Sequence, residues 1–267
     1  MPIRTLRQIL TAGAILTSAS LASAATIGPL SFTEQSVFDD NFQIITEANP
    51  GFSVNTGAKL MQISSMSSTS AQPSSALYNS SSTPGADVFS GDVTVSSSIW
   101  NIAVPTTGGN DKRFTGLLLM VNDSNTLGYY ARMSLDLATL EIGRINITNG
   151  YGWVSYSSLN LSGVEFGDIM SFNSVVDTDT NTVTLSASIA DRVTGVKQTT
   201  STTRNYVDDS LNADGTGQTG VMLNGWQSVA VGLGSYKIEA IPEPHETGIM
   251  VGLGALLIAL GLRRLRR

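Results

Sequence analysis

No cysteine occurs in this chain, and its one histidine, His245, stands close to the C-terminal end. Without cysteine there is no disulfide, no zinc–thiolate site and no thiol nucleophile. With no other histidine, the body of the chain has no Ser-His-Asp triad, no Cys-His pair and no imidazole-bound metal. Charge is scarce as well: only 13% of residues are Asp, Glu, Lys or Arg, about half the usual share. A chain of this size buries a core without disulfides, so their absence is compatible with export. Hydrophobic residues make up 41%, which excludes a wholly disordered chain.

Ser, Thr, Asn and Gly fill the place of the missing charges. They compete with helical backbone bonds and suit strands and turns. Of the 15 basic residues, Arg4 and Arg7 stand at the start and Arg263, Arg264, Arg266 and Arg267 at the end. Against 21 acids this leaves the middle strongly acidic, so a phosphate backbone is repelled and no nucleic acid is expected as partner.

The two ends carry the clearest patterns. Residues 1–24 have the parts of a secretory signal peptide: Arg4 and Arg7, the apolar and small stretch Ile9–Leu21, and the small-x-small site Ala22-Ser23-Ala24. The Sec translocon and signal peptidase are the partners this predicts. At the other end, Gly248–Leu262 is free of charge and is followed by the arginine cluster at 263–267. It is short beside the ~20 residues of an ordinary membrane helix, and snorkelling arginines extend its reach. A transmembrane helix over 248–262 is therefore expected, anchored in the inner membrane. The arginines hold its end in the cytoplasm and leave the body outside. The signal peptide predicts the same orientation independently.

Before this helix stands Ile241-Pro242-Glu243-Pro244-His245-Glu246. The prolines keep it out of helix and ladder, extended and open to an enzyme. Pro242-Glu243-Pro244, the apolar stretch and Arg263, Arg264, Arg266 and Arg267 together resemble the PEP-CTERM sorting signal over residues 242–267. That resemblance implies a Gram-negative source that secretes polysaccharide. It also implies recognition by an exosortase, a membrane cysteine protease-like enzyme, with Pro242, Glu243 and Pro244 as recognition residues, and delivery to the cell surface or extracellular matrix.

Residues 25–241 read as one all-β ectodomain. Phe114–Val121 is a compact apolar run closed by turn formers at 122–125. Leu127–Leu135, Leu140–Ile147, Asp168–Val176, Thr219–Leu223 and Val229–Ile241 are further strand candidates, and Val88–Val95 alternates in part. Thr182–Ile189 has the clearest period of two, with Val183, Leu185, Ala187 and Ile189 on one side. Asp177–Asn181 before it is a turn. Ser64–Gly85, with ten serines, reads as a long loop. Many short strands and no long amphipathic helix predict a β-sandwich. The stretches Asp40–Phe42, Phe114–Leu119, Gly128–Arg132, Leu140–Arg144, Thr182–Leu185 and Gly217–Val221 resemble the concanavalin A-like or laminin-G-like jelly roll.

Few residues suggest chemistry. The Glu-x-Asp-x-x-Glu motif of retaining β-glucanases, the natural comparison on that fold, is absent, and Glu141, Glu165 and Glu239 have no such partners. No enzyme is expected; a glycoside hydrolase with carboxylates from distant strands is the alternative. Asp39, Asp40 and Asn41 gather hard oxygen donors, as do Asp177, Asp179 and Asn181. Calcium is the cation such groups suit, and the resemblance favours the first. Sugar rings need an accessible aromatic. Tyr129, Tyr130, Tyr151, Trp153, Tyr156 and Trp226 are candidates, with Tyr130 and Trp153 foremost. Only one of Tyr129 and Tyr130 can face outward on a regular strand, and Trp153 reads as an exposed loop residue. The expected role is a non-catalytic surface or matrix protein associated with extracellular polysaccharide; a simple membrane-anchored glycan-binding domain is the other alternative.

Overall fold

Alternating side chains decide the architecture, because a strand with one apolar face must bury it against another sheet. A computed structural model describes residues 26–46, 51–63, 73–79, 89, 92–100, 113–148, 152–225 and 230–241. The expected signal peptide, sorting motif and transmembrane helix lie outside the described residues, as do Tyr151 and Trp226. Among the described residues no helix is long and apolar enough to cross a membrane. Thr26–Ile241 form one compact unit.

The unit is a sandwich of two antiparallel sheets. One sheet has eight strands: β1 (Thr26–Leu30), β3 (Phe52–Asn55), β4 (Leu60–Ile63), β6 (Asp92–Ile99), β11 (Ile169–Asp177), β12 (Thr182–Ala190), β13 (Lys197–Asn205) and β15 (Val231–Ile241). Their order is β13-β12-β11-β6-β15-β4-β3, with β1 also paired to β15. The other has seven: β2 (Phe42–Thr46), β5 (Ser74–Tyr78), β7 (Phe114–Val121), β8 (Leu127–Ser134), β9 (Thr139–Asn146), β10 (Val154–Asn160) and β14 (Gln218–Asn224). They run β10-β9-β8-β7-β14-β5-β2. A five-residue helix, α1 (Gln35–Asp39), precedes β2.

The core lies between the sheets. From β12 it takes Val183, Leu185, Ala187 and Ile189, the face the alternation predicts, and from the opposite sheet Leu117, Leu119, Tyr129, Ala131 and Ile142. The turn at Asp177–Asn181 forms as expected. Asp177 accepts the N–H groups of Asp179 and Thr180 through Oδ1, and Asn181 takes the left-handed conformation (φ 54°) that asparagine tolerates.

Two expectations change. Ser64–Gly85 is not one continuous loop: Ser74–Tyr78 is a strand buried along its whole length, paired to both β14 and β2. The seven-stranded sheet is also apolar on both faces. Leu77, Phe114, Leu118, Val121, Tyr130, Ile145, Ile147 and Met222 form a second buried cluster on its outer side.

Candidate functional site

Two polar clusters stand where β8 and β9 meet the end of the seven-stranded sheet. The β8–β9 register pairs Arg132 with Glu141 and Tyr130 with Gly143. Successive residues alternate sides, so Tyr130, Arg132 and Glu141 share the outer face while Tyr129 and Arg144 point into the sandwich.

On the outer face, Arg132 donates through Nε (2.9 Å) and Nη2 (2.7 Å) to Oε2 of Glu141, and the Tyr130 hydroxyl donates to Oε1 at 2.8 Å. The guanidinium lies 4.5 Å from the Trp153 ring centre and also rests on Phe114 and Tyr130. Trp153 meets Tyr130 and Phe114 edge-on, at 4.8 and 5.4 Å. Gly143 makes room for this stack: a Cβ there would collide with the Val154 carbonyl and the Tyr130 ring. Burial pushes the Glu141 carboxyl up, but the charge and hydrogen bonds of Arg132 outweigh it and hold the group below its ordinary value.

Inside the sandwich, Asp209 binds four side chains. Its carboxylate accepts the Tyr129 and Tyr156 hydroxyls, each at 2.8 Å, and both Nε and Nη2 of Arg204, at 3.3 and 3.4 Å. Arg144 donates to its carbonyl at 2.8 Å. A register shift in β10 between Ser155 and Ser157 coincides with Tyr156, whose hydroxyl reaches this knot. Ser157 and Thr200 share a hydrogen bond of 2.6 Å beside it, so β10 and β13, the end strands of the two sheets, are joined there. Burial opposes the Asp209 charge; Arg204 and the two tyrosines overcome it and keep the carboxyl below its ordinary value. In return, burial and the bond to Asp209 push the Tyr156 hydroxyl up to about 12, and Tyr129 further still.

The foreseen glycan contacts fare differently. Tyr130 is fully buried, because both faces of its sheet are covered, and so is Tyr129. Neither ring is open to a sugar. Trp153 is half-buried and packed at the entry to β10, rather than standing in an exposed loop. Asp39 and Asp40 end α1 on the surface. Asp39 accepts from Gln35 Nε2 at 2.9 Å, and the Asn41 amide donates to the Val37 carbonyl. Asp177 is occupied by its own turn. Among the described residues no three His, Asp or Glu side chains gather to hold a metal.

Asp209 and Arg204 were not foreseen as site residues, and Tyr129 and Tyr156, named as candidate sugar contacts, are instead their hydrogen-bond and stacking partners. One signal was present: the period of two puts Arg144 on the same side as Leu140 and Ile142, and an inward arginine needs a buried acceptor.

No protein-family model matches the chain, and no curated protein sequence does. Solved structures do. The winged bean acidic lectin complexed with methyl-α-D-galactose superposes with a TM-score of 0.51 at 14% identity, over 83% of this chain and 100% of the lectin chain. The fold is that of the legume lectins. A carbohydrate-binding module, CBM66 from Bacillus subtilis, matches at a TM-score of 0.41 and 11% identity, over 74% of this chain and 94% of that module. At such identities the likeness to the legume-lectin fold concerns architecture alone.

Proposed function

We propose that this chain is an exported, non-catalytic surface or extracellular-matrix protein, processed by an exosortase, whose sandwich associates with secreted polysaccharide. The observation that carries it is the order Pro242-Glu243-Pro244, uncharged Gly248–Leu262, arginine cluster, in a chain that begins with a secretory signal. Export proceeds through the Sec translocon and signal peptidase. The C-terminal segment then holds the chain in the inner membrane until the exosortase acts, and the product resides on the surface of a Gram-negative cell. The legume-lectin architecture supports a polysaccharide partner as a fold-level analogy. Neither of the two clusters described above supplies the acid of a glycoside hydrolase. A glycosidase acid needs a carboxyl held protonated at working pH, and Glu141 and Asp209 are both biased toward ionisation.

Intact mass of the protein recovered from the surface of an exosortase-bearing host tests this directly. The expected species lacks Met1–Ala24 and the segment after Pro244, and replacing Pro242 and Pro244 with alanine abolishes the second loss. A mass that keeps Gly248–Arg267 in the parent chain excludes sorting and leaves a membrane-anchored sandwich.

A further inference from the structure

The outer face of the eight-stranded sheet has an unusual composition for a solvated surface. Its residues alternate with the core positions of β6, β11, β12 and β13, and strand register sets them in rows. One row runs Ser201, Ser186, Asn173, Thr94 across four strands. The next runs Thr199, Ser188, Ser171, Ser96. Neither contains a charged or aromatic side chain. A soluble surface ordinarily carries roughly a quarter to a third charged residues, partly to prevent unwanted association. Beyond β6 the rows meet a mutually paired couple on β15, Glu239 opposite Thr94 and Lys237 opposite Ser96, and the charges of Asp92, Asp177 and Lys197 stand at strand ends.

From this array we infer a binding face for an uncharged, extended polysaccharide chain; it rests on the polysaccharide reading above and places the contact away from Trp153. Strand geometry spaces the groups about 4.8 Å across strands and about 6.7 Å along them, so four in a row span roughly 14 Å. Each hydroxyl both donates and accepts, as each sugar hydroxyl does. Some groups are already oriented: Thr184 and Thr203 share a hydrogen bond of 3.1 Å, and Asn173 donates to Thr94 at 2.9 Å. The ladder fixes the rows, and Thr94 and Thr199 are stiff at χ1, which lowers the ordering cost on binding. Lys237, the cation that adjoins these rows, is neutralised by Glu239, which disfavours an anionic polymer. Each bond replaces one to water and gains little alone. Binding therefore depends on many contacts made together along one polymer.

The test uses the full chain in detergent micelles and insoluble cellulose as the uncharged probe. The parent is retained, and free glucose does not release it. Thr184 and Ser201 are exposed, and the double variant Thr184→Glu, Ser201→Glu loses at least about tenfold in affinity, equivalent to 1.4 kcal/mol, with an unchanged thermal midpoint. Ser201→Glu alone, on the end strand β13, serves if the double variant does not fold. A variant retained as well as the parent overturns the inference and leaves polysaccharide association standing. Retention of the parent only on an anionic polymer such as alginate overturns it too. A parent retained on no polysaccharide removes both.

Discussion

Asp209 ties four side chains from three strands of one sheet and one strand of the other, and its own side chain is only 6% exposed. Removing one partner of a buried ion pair costs about 3–5 kcal/mol, but Arg144 and Arg204 are 27% and 38% exposed, so water recovers part of the loss. Asp209→Asn is therefore expected to lower stability by about 2 kcal/mol, seen as a lower urea midpoint at constant slope. Asp208→Asn next to it, on the surface, should change little. The same site sets an acid limit. The folded Asp209 and Glu141 carboxyls lie below their unfolded values of about 3.9 and 4.3, so their stabilisation is complete above those values and is lost as pH falls through the folded ones. The thermal midpoint should stay level from about pH 8 to 5.5 and drop below about pH 4, with a shallower drop in Asp209→Asn. An acid profile identical in parent and variant would show that Asp209 is not a source of it.

At the scale of elements, burial outranks composition. β5 lies in a serine-rich stretch, yet Leu77 and Ala76 are wholly buried on opposite sides of its sheet. Leu77→Ala should cost about 2–5 kcal/mol, as for any buried leucine; a cost below 0.5 kcal/mol would return the segment to the loop that its composition suggests. β7 was legible to the residue, because Phe114–Val121 is a compact apolar run broken only by Thr115, and turn formers close it. β13 was not. Its inward positions are Gln198, Thr200, Thr202 and Arg204, so no apolar alternation marks it. The partners that justify a polar inner face, Ser157 for Thr200 and Asp209 for Arg204, come from outside the strand. β10 is hidden in the same way by its serines.

For the whole molecule, the compact unit Thr26–Ile241 contains both sheets and the core between them. A chain restricted to those residues should fold alone, giving a β-type circular dichroism spectrum and one cooperative thermal transition. A broad, uncooperative transition would mean that the terminal segments are required for folding. No cysteine is present, so reductant should leave that transition where it is.

Sequence by itself determined the class of fold, the turns and the strands whose apolar residues alternate or run unbroken, because periodicity and turn chemistry are local properties. It also determined what chemistry the body lacks, since a missing residue type is missing in every conformation. Tertiary structure alone decided that Tyr130 is buried rather than open to a sugar. It alone brought Asp209 to Tyr129, 80 positions away, and to Arg144 at a separation of 65. The rows of hydroxyls, too, exist only once four strands are in register. Such contacts depend on which strands become neighbours and on what covers each face, and no local pattern encodes either.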